Sequence, residues 1–152
     1  MRSEAVFLAL VCTLCACSVR QPHHESFVPD GYAAAVEISH GQADAAAAVR
    51  EVLLADGFRV AAIGGRVKAN RRVVLGDGGV ELLGSTYPVV MAPDFVAGSP
   101  AVLRLELLFV ESGDRALLAG RSTGTGFAFS SHTFEELLAD LSSAAQGPES
   151  HD

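Results

Sequence analysis

Ala101-Val102-Leu103-Arg104-Leu105-Glu106-Leu107-Leu108-Phe109-Val110 alternates almost without a break: Leu103, Leu105, Leu107 and Phe109 fall on one side, Arg104 and Glu106 on the other. A period of two over this length marks a strand with one face in a core and the other toward water. Strands of this kind build antiparallel sheets that take their helices on one face. Outward from this stretch the same texture continues. Ala116–Arg121 follows across the turn residues Ser112-Gly113-Asp114. Upstream, Phe58–Ile63, Arg66–Leu75 and Val80–Leu83 are further strand candidates, separated by Gly64-Gly65 and Gly76-Asp77-Gly78-Gly79.

Two helices complete the pattern. Ala45, Ala46, Val49, Val52 and Leu53 make one apolar face of a helix through Ala43–Asp56. Ser39 or Gly41 opens it, Asp44 sits near its positive end, and Gly57 stops it with Phe58 packing back. Tyr32–Ile38 reads as a short strand before it. Strand, helix and strand at this spacing imply a parallel pair joined by a right-handed crossover. Thr133-Phe134-Glu135-Glu136 has the form of a capping box, with Phe134, Leu137, Leu138 and Leu141 as the stripe of a closing helix. In outline the order is β-α-β-β-β-β-α. The expected fold is α+β, a mostly antiparallel sheet with two helices packed on one face. It forms a single domain over residues 31–146, and residues 147–152 are a polar tail.

The chain has 152 residues with 11 Lys and Arg against 18 Asp and Glu, a net charge of −7. An acidic balance argues against a nucleic-acid partner, which calls for a basic footprint. Met1-Arg2-Ser3-Glu4 leads into the apolar run Ala5–Leu14, too short to span a bilayer and suited to a removable export signal. Its exit, Leu14-Cys15-Ala16-Cys17, resembles the lipobox of bacterial lipoproteins. That resemblance implies cleavage between Ala16 and Cys17, leaving residues 1–16 as signal peptide and placing a lipid on Cys17. Residues 17–30, with Pro22 and Pro29 and no hydrophobic period, then form a lipidated flexible tether. Ser18 stands where an Asp would signal inner-membrane retention in enteric bacteria. By that rule the protein belongs in the cell envelope, anchored to the outer membrane and facing the periplasm. The layout of the mature domain also resembles the small α+β modules of envelope lipoproteins, without a diagnostic motif.

Candidate chemistry is sparse. Cys12, Cys15 and Cys17 include a C-x-x-C spacing, but an export signal offers no folded frame to hold thiolates. His23-His24-Glu25 lies in the tether, where geometry cannot be fixed, and His40 and His132 each stand alone beside a helix start. No metal or other cofactor is expected. Gly120-Arg121-Ser122-Thr123-Gly124 spells a nucleophile elbow, yet Thr125–Phe129 after it reads as strand or loop where a helix is required. No catalytic residue is assigned.

Two binding features stand out. Arg66, Lys68, Arg71 and Arg72 form a basic cluster, with Arg66, Lys68 and Arg72 at even spacing on one strand face. It suits an anionic lipid or glycan, or else is a solvated strand face. Ser85–Pro100 carries Tyr87, Met91 and Phe95 in an irregular, proline-rich setting. These residues serve either a protein partner or the core. The expected function is therefore a non-enzymatic accessory or scaffold that binds another envelope protein. The alternatives are an anionic-ligand module and, less favoured, a small serine hydrolase. The address is testable apart from the function. Cys17→Ser is expected to leave a chain that carries no lipid and stays as precursor or leaks soluble, read by mass spectrometry and fractionation.

Overall fold

The computed structural model describes residues 28–38, 42–112 and 115–147. The expected signal peptide, the lipobox-like stretch Leu14–Cys17 and most of the expected tether lie outside the described residues, as do Ser39, His40, Gly41 and the last five positions. At the centre of the sheet is the strand that contains Ala101–Val110. β7 (Pro100–Ser112) pairs with β8 (Arg115–Gly124) over a long antiparallel ladder, from Leu103↔Gly124 to Ser112↔Arg115. On its other side it pairs with β3 (Arg66–Val74), and β2 (Arg59–Ile63) closes that edge through a hairpin at Ile63↔Arg66. β1 (Ala34–Ile38) lies along β8 at the opposite edge, giving the order β1-β8-β7-β3-β2 with every pair antiparallel. With helices α1 (Gln42–Ala55) and α2 (Ser131–Gln146), the main sheet follows the expected β-α-β-β-β-β-α order, and the sixth strand candidate, at Val80–Leu83, lies outside it in a two-stranded sheet.

The expected parallel pair is corrected. The strands flanking α1 do not pair in parallel; β8, β7 and β3 stand between them. Hairpins close over a few residues, so β2 takes β3 and β7 takes β8 by the shortest loops. β3 then has a partner on each side, which leaves the outer edges of β2 and β8 open, and β1 takes that of β8.

The helices cover one face. Val67, Ala69 and Val73 of β3, the odd-numbered residues of β7 from Ala101 to Phe109, and Leu118 and Ala116 of β8 point beneath them. From above come Ala45, Val49 and Leu53 of α1 and Phe134, Leu137, Leu138 and Leu141 of α2. Each such fully buried Leu or Phe is worth roughly 1.5–3 kcal/mol. The stop of α1 is as expected. Phe58 N–H donates to Leu53 O (3.0 Å) and Gly57 N–H to Leu54 O (3.1 Å) around Gly57 at φ 86°, and Phe58 is buried.

The start of α2 is not as expected. Ser130, extended at φ −66° and ψ 158°, is the cap, and its Oγ accepts from Thr133 N–H. Ser130 offers the same hydroxyl one turn earlier, so the helix opens there, and Thr133 lies buried inside the first turn.

The connection between β3 and β7 is built of short strands. β4 (Val80–Leu82) pairs with β5 (Ser85–Tyr87) across a turn in which Leu83 and Gly84 both have positive φ, 53° and 75°. β6 (Val90–Met91) pairs with β9 (Phe127–Ala128), tying the connection to the strand end before α2. At the contact of α2 with the sheet sits Gly120, where an added Cβ would lie 2.9 Å from Leu138 and 3.1 Å from both Leu107 and Phe134. Gly120→Val is therefore expected to lower stability by about 1–3 kcal/mol in urea unfolding, by overpacking that contact.

Candidate ligand-binding face

The sheet face away from the helices carries the even-numbered positions of β3 and β7. Strand register brings them together row by row. Arg66 stands opposite Leu108, Lys68 opposite Glu106, Asn70 opposite Arg104 and Arg72 opposite Val102. Across β7, Glu106 faces Arg121 and Arg104 faces Thr123, while Arg59 of β2 stands opposite Asn70. The result is a field of cations: Arg59, Arg66, Lys68, Arg72, Arg104 and Arg121. All six are exposed, and Glu106 sits in their midst.

Glu106 is engaged. Arg121 Nη2 and Nε donate to its Oε2 at 2.6 and 3.0 Å. That hydrogen bonding, aided by the charges of Arg121, Lys68 and Arg66, holds its carboxyl below the usual carboxylate range against the opposing effect of desolvation. The same bond raises the pKa of Arg121, whose guanidinium also lies 5.6 Å from the Tyr32 ring. Two open hollows flank Asn70. One of about 570 Å³ is lined by Gly57, Arg59, Asn70, Arg71, Arg72 and Val102; one of about 280 Å³ by Lys68, Asn70, Arg104, Glu106, Arg121 and Thr123 among others. Fixed cations around open hollows can hold phosphate, sulfate or carboxylate groups by charge-assisted hydrogen bonds.

Of the basic cluster read from sequence, three members share this face and the fourth does not. Arg71 falls at odd spacing and points to the helix side, where it donates to Asp56 Oδ2 at 3.0 Å and lies 5.9 Å from the Phe58 ring. It fastens the end of α1. Arg59, Arg104 and Arg121 were not counted in the cluster. Alternation within each strand places them on a polar face, but only the register shows it to be the same one.

The other binding candidate turns inward. Tyr87 is 3% exposed, and its hydroxyl donates to the Asp140 carboxylate of α2. Burial first, then Asp140, pushes the Tyr87 pKa well above its ordinary value. Met91 and Phe95 are half-buried and pack against the core, and Ala92 N–H donates to Gly126 O at 2.8 Å. What Ser85–Pro100 leaves in water is Val90 and Val96, 66% and 69% exposed.

Ser122 lies within β8 opposite Leu105, with strand on both sides, so the strand–turn–helix of a nucleophile elbow is not formed there. His132 is exposed and pairs with Glu136 at 3.1 Å. Among the described residues no group of three or more His, Cys, Asp or Glu converges as a metal site, and no helix is long and apolar enough to cross a membrane. No family model and no curated protein matches the chain.

Tyr87 yields a direct check on its core placement. Tyr87→Ala is expected to cost about 3–5 kcal/mol in chemical denaturation, as truncation of a buried aromatic does. Tyr87→Phe, which keeps the ring and loses the bond to Asp140, should cost about 1 kcal/mol.

Proposed function

We propose that this protein is a non-enzymatic, lipid-anchored component of the bacterial cell envelope whose open sheet face binds an anionic ligand. The observation that carries the reading is the placement of six of the chain's 11 basic residues on one helix-free face, in a protein of net charge −7. The lipobox resemblance at Leu14–Cys17 supports the address. The ligand class the face suits is a polyanion, because the cations are spread over three adjacent strands and around two hollows. Glu106 tempers the face and holds Arg121 in place.

A protein partner is the second reading, favoured by the exposure of Val90 and Val96 beside the buried Tyr87. Val90→Ser with Val96→Ser would abolish co-purification of such a partner while leaving anion binding intact.

The principal test is titration calorimetry with a polyphosphate chain. Lys68→Gln with Arg104→Gln is expected to weaken binding by at least tenfold while leaving thermal stability within the range of surface substitutions. Unchanged affinity would overturn the reading. The pH dependence has a definite sign. The folded pKa of Glu106 is depressed, so its ion pair with Arg121 is intact at neutral pH and is lost as pH falls through that lowered value. Protonation removes the anion that stands between Arg121 and Lys68, while Glu37 lies on the same face farther off, opposite Leu117. Binding of a ligand that keeps its charge in acid should therefore tighten as pH drops, and Glu106→Gln should show the tighter binding already at neutral pH.

A further inference from the structure

We infer that the cationic face docks on anionic lipid headgroups of the same leaflet that holds the chain's own lipid. This deepens the reading just given and rests on it, both for lipidation at Cys17 and for anion binding by the face. Two features of the fold select this occupant over a soluble polyanion.

One is the point at which the chain enters the domain. Tyr32 N–H donates to Pro29 O (3.0 Å), Ala33 N–H donates to Gly120 O (2.9 Å), and the Tyr32 ring lies 5.6 Å from Arg121 Cζ. The root of the tether is thus fixed against Arg121, at the margin of the cationic face. Residues 18–27 separate Cys17 from the first described residue, Val28. Ten residues reach at most about 36 Å when fully extended. A tether this short, rooted at this place, keeps the basic face within reach of the leaflet at a millimolar-scale effective concentration.

The other is polarity of charge. The helices on the opposite side expose Asp44 and Glu51 on α1 and Glu135, Glu136 and Asp140 on α2, with Arg50 paired to Glu51. An anionic leaflet attracts the sheet face and repels the helix layer, so it orients the domain as well as holding it. A Lys or Arg brought to such a surface strengthens partition by roughly fivefold. The cations form a broad array and not a single cleft, which matches a planar charged surface. Ile63, 82% exposed beside Arg66, and Val74, 63% exposed beyond Arg72, add apolar side chains at its margins.

The experiment uses the mature acylated protein in phosphatidylcholine vesicles with and without phosphatidylglycerol, after mass spectrometry of Cys17. A thiol-reactive fluorophore is placed at Ala61→Cys on the open face or at Ser143→Cys on α2, and quenching by brominated lipid reports proximity to the bilayer. Docking predicts several-fold stronger quenching at position 61 when phosphatidylglycerol is present, loss of that gain in high salt, and little quenching at position 143 throughout. Arg59→Glu, Lys68→Glu, Arg72→Glu and Arg104→Glu together should remove the gain. Equal quenching at the two positions, or no effect of phosphatidylglycerol, overturns the inference. Polyphosphate binding in solution separates the causes. If wild type binds it yet shows no anionic-lipid gain, membrane docking fails and anion binding stands; if it binds neither, both fail. An unacylated Cys17 overturns the anchor and the inference together.

Discussion

β7 is hydrogen-bonded on both sides and buried on only one face, and the rest of the molecule follows from that asymmetry. Its backbone groups are satisfied by β3 and β8, so it needs no other polar partner. Its odd-numbered side chains cannot be left in water without forfeiting the core, so two helices must lie over them. Nothing comparable requires cover on the even-numbered side, where charged side chains are stable as they stand. The open, cation-bearing face is what remains of the sheet once the core has been closed.

The core is closed largely with small and aliphatic residues. Ala34, Ala45, Ala69, Ala101 and Ala116 are all buried, and Gly120 lets α2 approach the sheet directly. Small side chains bury less apolar area each but bring backbones close, and close-packed contact compensates part of the loss. Three of the aromatic residues form one cluster. Phe127 and Phe129 meet edge to face at 5.9 Å, and Phe129 stacks on Phe134 at 6.3 Å. This cluster anchors the β6–β9 pair, and with it the connection that carries Tyr87 into the core.

Local pattern makes most of the fold legible in the sequence. The alternation in β7, the apolar stripes of both helices and the Gly57 stop are properties of a few neighbouring residues, and they held. What escaped depended on partners distant in the chain. Pairing of β1 with β8 in place of β2 is decided by competition among edges, which no window of sequence contains. The cap moved from Thr133 to Ser130 because two equivalent hydroxyls lie one turn apart. The candidate site divides along the same line. Arg66, Lys68 and Arg72 share a face by simple parity, and Arg71 leaves them for the same reason. Arg59, Arg104 and Arg121 join only through the registers Arg59↔Asn70↔Arg104 and Glu106↔Arg121. Tyr87 was ambiguous from composition, since an aromatic in a proline-rich segment looks alike whether it meets a partner or Asp140.

The edge position of β1 has a consequence for the order of assembly. The β2–β3 hairpin closes at Ile63↔Arg66 and the β7–β8 hairpin at Ser112↔Arg115, whereas β1 pairs Ala34 with Gly120. Loop-closure entropy delays contacts of such separation, so the first strand to emerge during synthesis is among the last to find its neighbour. Until β8 exists, β1 lacks the strand it pairs with. The stretch from Pro29 to Ala33 is therefore tied to the domain only late, when Ala33 N–H reaches Gly120 O and the Tyr32 ring meets Arg121.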